Sequence, residues 1–191
     1  MTPLRSFAAA LVLLSALAST AVGAPAAQQP PAPKPGDQPG SRPADKAENR
    51  VVTSEPIHAV VLPMKGSYDQ HQAAFERLAG YLTGRGVSPA GDPFARYFSD
   101  PSAGEAALLW EVGLPVAAGV TVEAPFELKE VPAALTAVHV HRGSYEELAS
   151  AWPAFVQWIL ANGYQPAGPP LQIFKGDFST PNIEMRMPVQ K

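Results

Sequence analysis

Lys65-Gly66-Ser67-Tyr68 and Arg142-Gly143-Ser144-Tyr145 stand 77 residues apart, and the same offset carries Phe75 onto Trp152, Leu78 onto Phe155, Tyr81 onto Trp158, Leu82 onto Ile159 and Gly86 onto Gly163. It continues through Pro89-Ala90-Gly91 against Pro166-Ala167-Gly168 and through Pro93 against Pro170. After a four-residue deletion, Trp110-Glu111-Val112 meets Ile183-Glu184-Met185, and Pro115-Val116 meets Pro188-Val189. An offset sustained over so many positions marks an internal repeat, and each copy must then build the same supersecondary unit.

Each copy reads alike. A strand (57–64; 135–141) runs into a basic-Gly turn, and Ser67 or Ser144 then stands three residues before Gln70 or Glu147. That spacing predicts a capping box, in which the serine hydroxyl and the N3 side chain satisfy amide groups at a helix start. Apolar residues follow at helical spacing: Phe75, Leu78 and Leu82 in the first copy, and Leu148, Trp152, Phe155 and Ile159 in the second. Gly84 to Gly86 and Asn162-Gly163 are stop signals, and Pro153 lies deep enough to kink or restart the second helix. A short strand (93–99; 170–175) and a longer one (106–116; 182–189) complete each copy. The expected fold is therefore α+β: two β-α-β-β units, about 55–116 and 133–189, forming a mainly antiparallel sheet with both helices on one side. The connection 117–133 is expected to hold one further short strand, near Val120 to Glu123.

Upstream of the repeat the chemistry changes. Seven of the 22 prolines fall between Pro25 and Pro43, and 24–50 has no hydrophobic periodicity, so it reads as a disordered spacer with polyproline II bias. Before it, Arg5 precedes the apolar run from Phe7 to Ala18 and then small residues. This is the pattern of a secretory signal peptide, about 1–23, with cleavage after Ala21 or Gly23; an uncleaved anchor is the alternative. The run is shorter than the ~20 residues of a membrane span, so no span is expected after cleavage and the protein is expected to be periplasmic or secreted.

The domain, 51–191, keeps nine basic and 14 acidic residues, a net charge of -5 without a basic stripe, which argues against nucleic acid as a partner. The absence of cysteine removes disulfides, thiolate nucleophiles and zinc-cysteine sites. Gly84-Arg85-Gly86 ends a helix instead of opening one, so it is not a phosphate loop, and no Gly-x-Ser-x-Gly elbow exists.

The paired Gly-Ser-Tyr motifs, Gly-Asp-Pro-Phe-Ala-Arg-Tyr at 91–97, Trp-Glu-Val-Gly-Leu-Pro-Val at 110–116 and Ile-Glu-Met-Arg-Met-Pro-Val at 183–189 resemble the GyrI-like family of bacterial effector-binding domains. The resemblance covers 55–189. It implies a two-copy fold of SHS2 type, with a cleft between the copies that receives small, often cationic or amphipathic molecules; some members hydrolyse reactive small molecules with an acidic residue in the cleft. Many members carry a glutamate on the short strand of the second copy, where this chain has Leu171-Gln172-Ile173-Phe174. An amide forms hydrogen bonds but neither neutralises a cation nor serves as a general base. No helix-turn-helix precedes the domain, so a transcription factor is not expected.

Six residues are singled out for ligand contact: Ala95, Tyr97, Glu111, Gln172, Phe174 and Glu184. Tyr97 and Phe174 are equivalent and share strand faces with Ala95 and Gln172, as an apolar pocket with one polar contact requires. Glu111 and Glu184 are also equivalent; they form either a pair of cleft acids or a solvated sheet face, with Glu184 bound to Arg186. The three tryptophans read as core. His139 and His141 point the same way on one strand, yet a metal site needs a third ligand that no spacing supplies, so neither metal nor cofactor is expected. The leading expectation is a non-catalytic module binding a small apolar or amphipathic molecule, cationic or neutral. The alternative is a hydrolase using a cleft glutamate. A haem carrier resembling the SOUL fold would rest on His139 or His141 alone.

Overall fold

The computed structural model describes residues 49–99, 102, 104–176 and 182–191, with backbone alone for 145, 146 and 149. The predicted signal peptide and all of the linker up to residue 48 lie outside the described residues. In chain order the elements are β1 (Arg50–Thr53), β2 (Ile57–Lys65), α1 (His71–Gly84), β3 (Phe94–Tyr97), β4 (Leu109–Pro115), β5 (Glu127–Val131), β6 (Leu135–Arg142), α2 (Tyr145–Ala161), β7 (Gln165–Pro166), β8 (Leu171–Phe174) and β9 (Asn182–Gln190). The α+β expectation holds: the sheet order is β1-β6-β9-β8-β3-β4-β2-β5, every pairing is antiparallel, and β7 adds to β9.

The two halves carry the same order, β2-β4-β3 and β6-β9-β8, and meet where β3 pairs with β8. There Ala95 lies directly opposite Gln172, flanked by Phe94 opposite Ile173 and Arg96 opposite Leu171. Cross-strand partners share a face. Ala95 is thereby aligned with Val112 and Leu62 in one direction and with Gln172 and Met185 in the other. Val112 and Leu62 pack with Ala74, Phe75, Leu78 and Leu82 of α1, whereas Met185 packs with Leu148, Phe155 and Ile159 of α2. Both helices thus cover one face. Each fully buried Leu or Phe on them stabilises the layer by roughly 1.5–3 kcal/mol.

The other face has its own small core of Ala59, Val61, Phe94, Leu171 and Ile173. It is concave, for a reason the chain length dictates. In sheet order β1 and β2 are six strands apart, about 29 Å if the sheet were flat. Yet residues 54–56 join them, and that connection reaches no more than about 15 Å. The connection 132–134 between β5 and β6 imposes the same curl from the other edge. The two short connections meet: Ser54 N donates to the Ala134 carbonyl at 2.8 Å, Ala134 N donates to Ser54 Oγ at 3.1 Å, and Thr136 Oγ1 reaches Ser54 Oγ at 3.3 Å.

Four local expectations are corrected. The connection between the halves forms its strand at Glu127–Val131, not at 120–123; Val120 and Val122 pack instead against the α1 core, where Tyr81 stacks on Phe126 and its hydroxyl accepts from Glu123 N. Arg50–Thr53, given to the spacer or left unassigned, is a strand because β6 offers it an edge. The capping box forms only at Ser144 and Glu147. At Ser67 the Gln70 amide donates to the serine carbonyl, so a 3-10 turn, Tyr68–Gln70, precedes α1. Of the two alternatives for Pro153, a restart is overturned: α2 runs through it as one helix.

Candidate functional site

The structure divides the six expected residues between the two faces of the sheet. Tyr97, Gln172 and Phe174 share the helix-bearing face at the junction of the halves, where Ala95 is completely buried and serves as floor rather than lining. Glu111 and Glu184 lie on the concave face, because strand alternation opposes them to Val112 and Met185.

Neither glutamate is solvated, and both are neutralised. Glu111, 0% exposed, accepts from Arg96 Nη1 at 3.1 Å and from Lys129 Nζ at 3.0 Å. Glu184, 4% exposed, accepts from Lys175 Nζ at 2.7 Å and Arg186 Nε at 2.6 Å, with Arg50 at 4.0 Å; the expected Arg186 contact is present. Burial pushes the Glu184 carboxyl up, but the hydrogen bonds and charges of Lys175 and Arg186 outweigh it and hold the group below its usual range. A carboxylate whose proton affinity is lowered in this way is a weak base as well as a poor proton donor. Two hollows, of about 210 and 610 Å³, open on this concave face near Arg96, Leu171 and Arg186 and near Arg50, Lys175 and Glu184. Along their walls Arg50, Lys175 and Arg186 gather on Glu184 and Arg96 pairs with Glu111, while Glu55 borders both hollows and Asp92 the larger.

The helix face is different. Tyr97 OH, on β3 of the first half, is 2.7 Å from Gln172 Oε1, on β8 of the second, and 3.1 Å from His71 Nε2. His71 Nδ1 is bonded in turn to the Tyr68 carbonyl. Around this chain stand aromatic rings: His71 lies 4.4 Å from Trp110, Tyr68 meets Tyr97 edge-on at 5.1 Å, and Phe75 meets Phe174 edge-on at 5.4 Å. Such a surface offers apolar and π contact with very few polar atoms, the usual constitution of a small-molecule site. Burial holds His71 below the ordinary histidine range, against weaker opposing effects of the Tyr68 carbonyl and Asp69. Gln172 is only 8% exposed, and among the described residues one end of its amide makes no hydrogen bond.

The remaining sequence candidates go elsewhere. Trp110 is core, as expected, and donates from Nε1 to the Gly66 carbonyl at 3.0 Å; Trp152 and Trp158 are half-buried against the second-half core. His139 is bonded to Asn49 Oδ1 at 2.6 Å and His141 to the Ser144 carbonyl at 3.0 Å. Among the described residues, no three His, Asp or Glu side chains are grouped as a metal would need. His71 and Tyr68 were missed. The available signal was a mismatch: by the repeat offset His71 corresponds to Leu148, and a polar residue replacing an apolar one on a buried helix face asks for a partner.

Comparison with solved structures returns the same fold. EcmrR in its DNA complex is similar with a TM-score of 0.67 and 17% identity; the match covers 75% of this chain and 57% of that one, so this chain spans little more than half of EcmrR. The EcmrR C-terminal domain matches at 0.67 and 16% identity, over 76% of this chain and 99% of the other. A hydrolase from Listeria innocua matches at 0.57 and 16%, over 76% and 93%. Comparison with curated protein sequences gives no match. The family model for the GyrI-like small molecule binding domain matches residues 48–190, which contain every element described above, and the chain belongs to that family.

Proposed function

We propose that this is an exported, non-catalytic binding module whose small apolar or amphipathic ligand sits on the helix-bearing face where the halves meet, against Tyr97, Gln172 and Phe174. The observation that carries the reading is the Tyr97–Gln172 hydrogen bond across the junction, with one end of a nine-tenths buried amide left over amid aromatic rings. Glu111 and Glu184 are not part of this site; their position on the far face, held by two and three cations respectively, supports binding without hydrolysis. With a glutamine at the centre, a neutral amphiphile suits the site better than a cation, which would lose its hydration without a compensating charge. Export rests on the apolar run after Arg5 and the small residues before Pro25.

The test is a thermal-shift and dye-displacement series on the purified protein with Nile red as the neutral probe, rhodamine 6G as the cationic one and anilinonaphthalene sulfonate as the anionic one. Saturable binding of the neutral dye, weakened in Gln172→Ala, is expected. Absence of binding by all three, or binding indifferent to Gln172, would remove the site assignment. Export is checked by fusing residues 1–50 to a reporter active only outside the cytoplasm.

A further inference from the structure

The first strand of the sheet leaves one flank open. β1 with β6 continues the register of β2 with β5 without a slip: Thr53 faces Leu135 and Ile57 faces Val131. The flank of β1 turned away from β6 is therefore the one that β4 covers on β2. That cover stops at Val116, whose N donates to the His58 carbonyl at 3.0 Å. Ser54 N donates to the Ala134 carbonyl at 2.8 Å, so by antiparallel alternation Val52 and Arg50 also turn their amides to β6. Val51 and Thr53 turn theirs outward, and among the described residues no strand pairs with them there.

This open flank borders the larger hollow, about 610 Å³, whose walls include 52–58, 90–92 and 115–116. Edge strands are commonly blunted by charge. β5, the other edge, carries Glu127, Lys129 and Glu130, whereas β1 has no charged residue between Arg50 and Glu55. Charge stands at the two ends instead. At one end Lys175 and Arg186 each give one N–H to Glu184, and Arg50 is 4.0 Å from it, so all three cations keep unspent N–H groups among the described residues. With Glu184 and Asp92 set against them, one positive charge is left in excess. At the other end Glu55 borders the hollow and makes no ion pair among the described residues.

We propose that the larger hollow receives a short peptide with free termini, which adds to β1 as a further antiparallel strand. The ladder bonds of Val51 and Thr53 hold its backbone, and the charges set its direction. Its carboxylate meets Arg50, Lys175 and Arg186 and its ammonium meets Glu55, whereas the reverse direction would bring like charges together. Arg50 and Glu55 stand five residues apart, roughly 17 Å of extended chain, so a peptide of about five residues spans them. The side chains it turns to the concave face meet Val116, Val138 and Ile173 and are therefore apolar. A second copy of this chain would offer β1 a strand but bring no chain end to these charges. The site is separate from the one on the helix-bearing face.

The test is isothermal titration of the whole protein with the peptide Val-Ala-Val-Ala-Val. Saturable binding is expected, weakened about tenfold or more by amidation of the carboxylate and several-fold by acetylation of the amine. N-methylation of both alanines, whose amides would face Val51 and Thr53, should abolish binding, while N-methylation of the central valine should leave it nearly unchanged. Arg50→Gln, at a half-exposed side chain, should weaken the free acid about tenfold and leave the amidated peptide unaffected. Hydrogen exchange followed by NMR should slow at the Val51 and Thr53 amides on peptide addition and stay the same at Val52, already bonded to β6. No binding at millimolar peptide, or binding indifferent to amidation and to the alternating methylation, overturns the proposal. So does protection of Val51 and Thr53 by a concentration-dependent dimer without peptide, which would give the edge to a second copy. Peptide binding lost in Gln172→Ala but intact in Arg50→Gln overturns it too, and leaves the helix-face reading standing.

Discussion

Gly113→Ala adds one methyl group, and the structure says what it meets. The new Cβ would lie 2.2 Å from Phe94 Cζ and 2.6 Å from both Cε atoms, against an ordinary carbon contact of about 3.5–4.0 Å. Phe94 is the cross-strand partner of Gly113 and its ring covers the glycine. To make room it must retreat by about 1.5 Å into Ala59, Val61, Leu171 and Ile173, with which it forms the concave core. Overpacking of this kind costs about 1–3 kcal/mol, and with Phe94 completely buried the upper part of that range applies. Alanine's advantage over glycine in an extended segment returns about 0.5–1 kcal/mol, leaving a net loss of about 2 kcal/mol. Urea denaturation followed by tryptophan fluorescence should show a lower midpoint at unchanged slope. Phe94→Leu withdraws the obstructing atoms, so in the double variant the two losses should add to less than their sum by about 1 kcal/mol or more. A neutral or stabilising Gly113→Ala, or simple additivity with Phe94→Leu, would refute the reasoning.

Glu184→Gln should lower stability by about 2 kcal/mol in the same assay, less than the roughly 3–5 kcal/mol of a wholly buried pair because Lys175 and Arg186 reach solvent. Because Glu184 is held below its usual range when folded, its stabilisation is present above the unfolded-state pKa and is lost as pH falls through the lower folded value. Acid titration should therefore bring wild type and Glu184→Gln together. Ser144→Ala should cost about 1 kcal/mol through its capping box, and Ser67→Ala only a few tenths, since that hydroxyl makes one long 3.5 Å contact; equal losses in thermal melts would contradict the cap assignments. Gln172→Ala should weaken ligand binding about tenfold or less by titration fluorimetry while the protein stays folded. Ala95→Trp, at a site with no free space, should fail by unfolding rather than by blocking the ligand, which circular dichroism would reveal.

Most of the fold was legible because repetition turns weak local signals into paired ones. A short strand such as Phe94–Tyr97 is hard to assign alone, but its match to Leu171–Phe174 makes both credible. What escaped was whatever depends on a distant edge. Nothing in Arg50-Val51-Val52-Thr53 announces that β6, more than 80 residues on, will pair with it, and Val120 to Glu123 alternates as well as a true strand does. The site was half legible. Alternation correctly put Tyr97 with Ala95 and Gln172 with Phe174, and placed Glu111 opposite Trp110 and Val112. Yet alternation assigns relative faces without saying which one carries the helices, so the sequence leaves open that Glu111 and Glu184 lie on the face opposite Tyr97 and Gln172. Gln172 stood out as a departure from a pattern. His71 does not, because a single histidine on a helix shows its mismatch only when set against Leu148 of the other copy.

The crossing of the edge strands has a consequence for how the chain comes to be folded. β1 precedes the first half but completes the second by pairing with β6, and β5, which leads into the second half, completes the first by pairing with β2. Each half thus lends the other its rim. During synthesis, residues 57–115 would emerge with one flank of β2 uncovered until 127–131 follow, and β1 would remain without a partner until 135–142 appear. Closure is a late event made of contacts far apart in sequence, the kind that slows folding and leaves sticky edges exposed meanwhile. A nick within 117–123 should accordingly yield two pieces that are unstable apart and restore each other when mixed, because neither contains its own border.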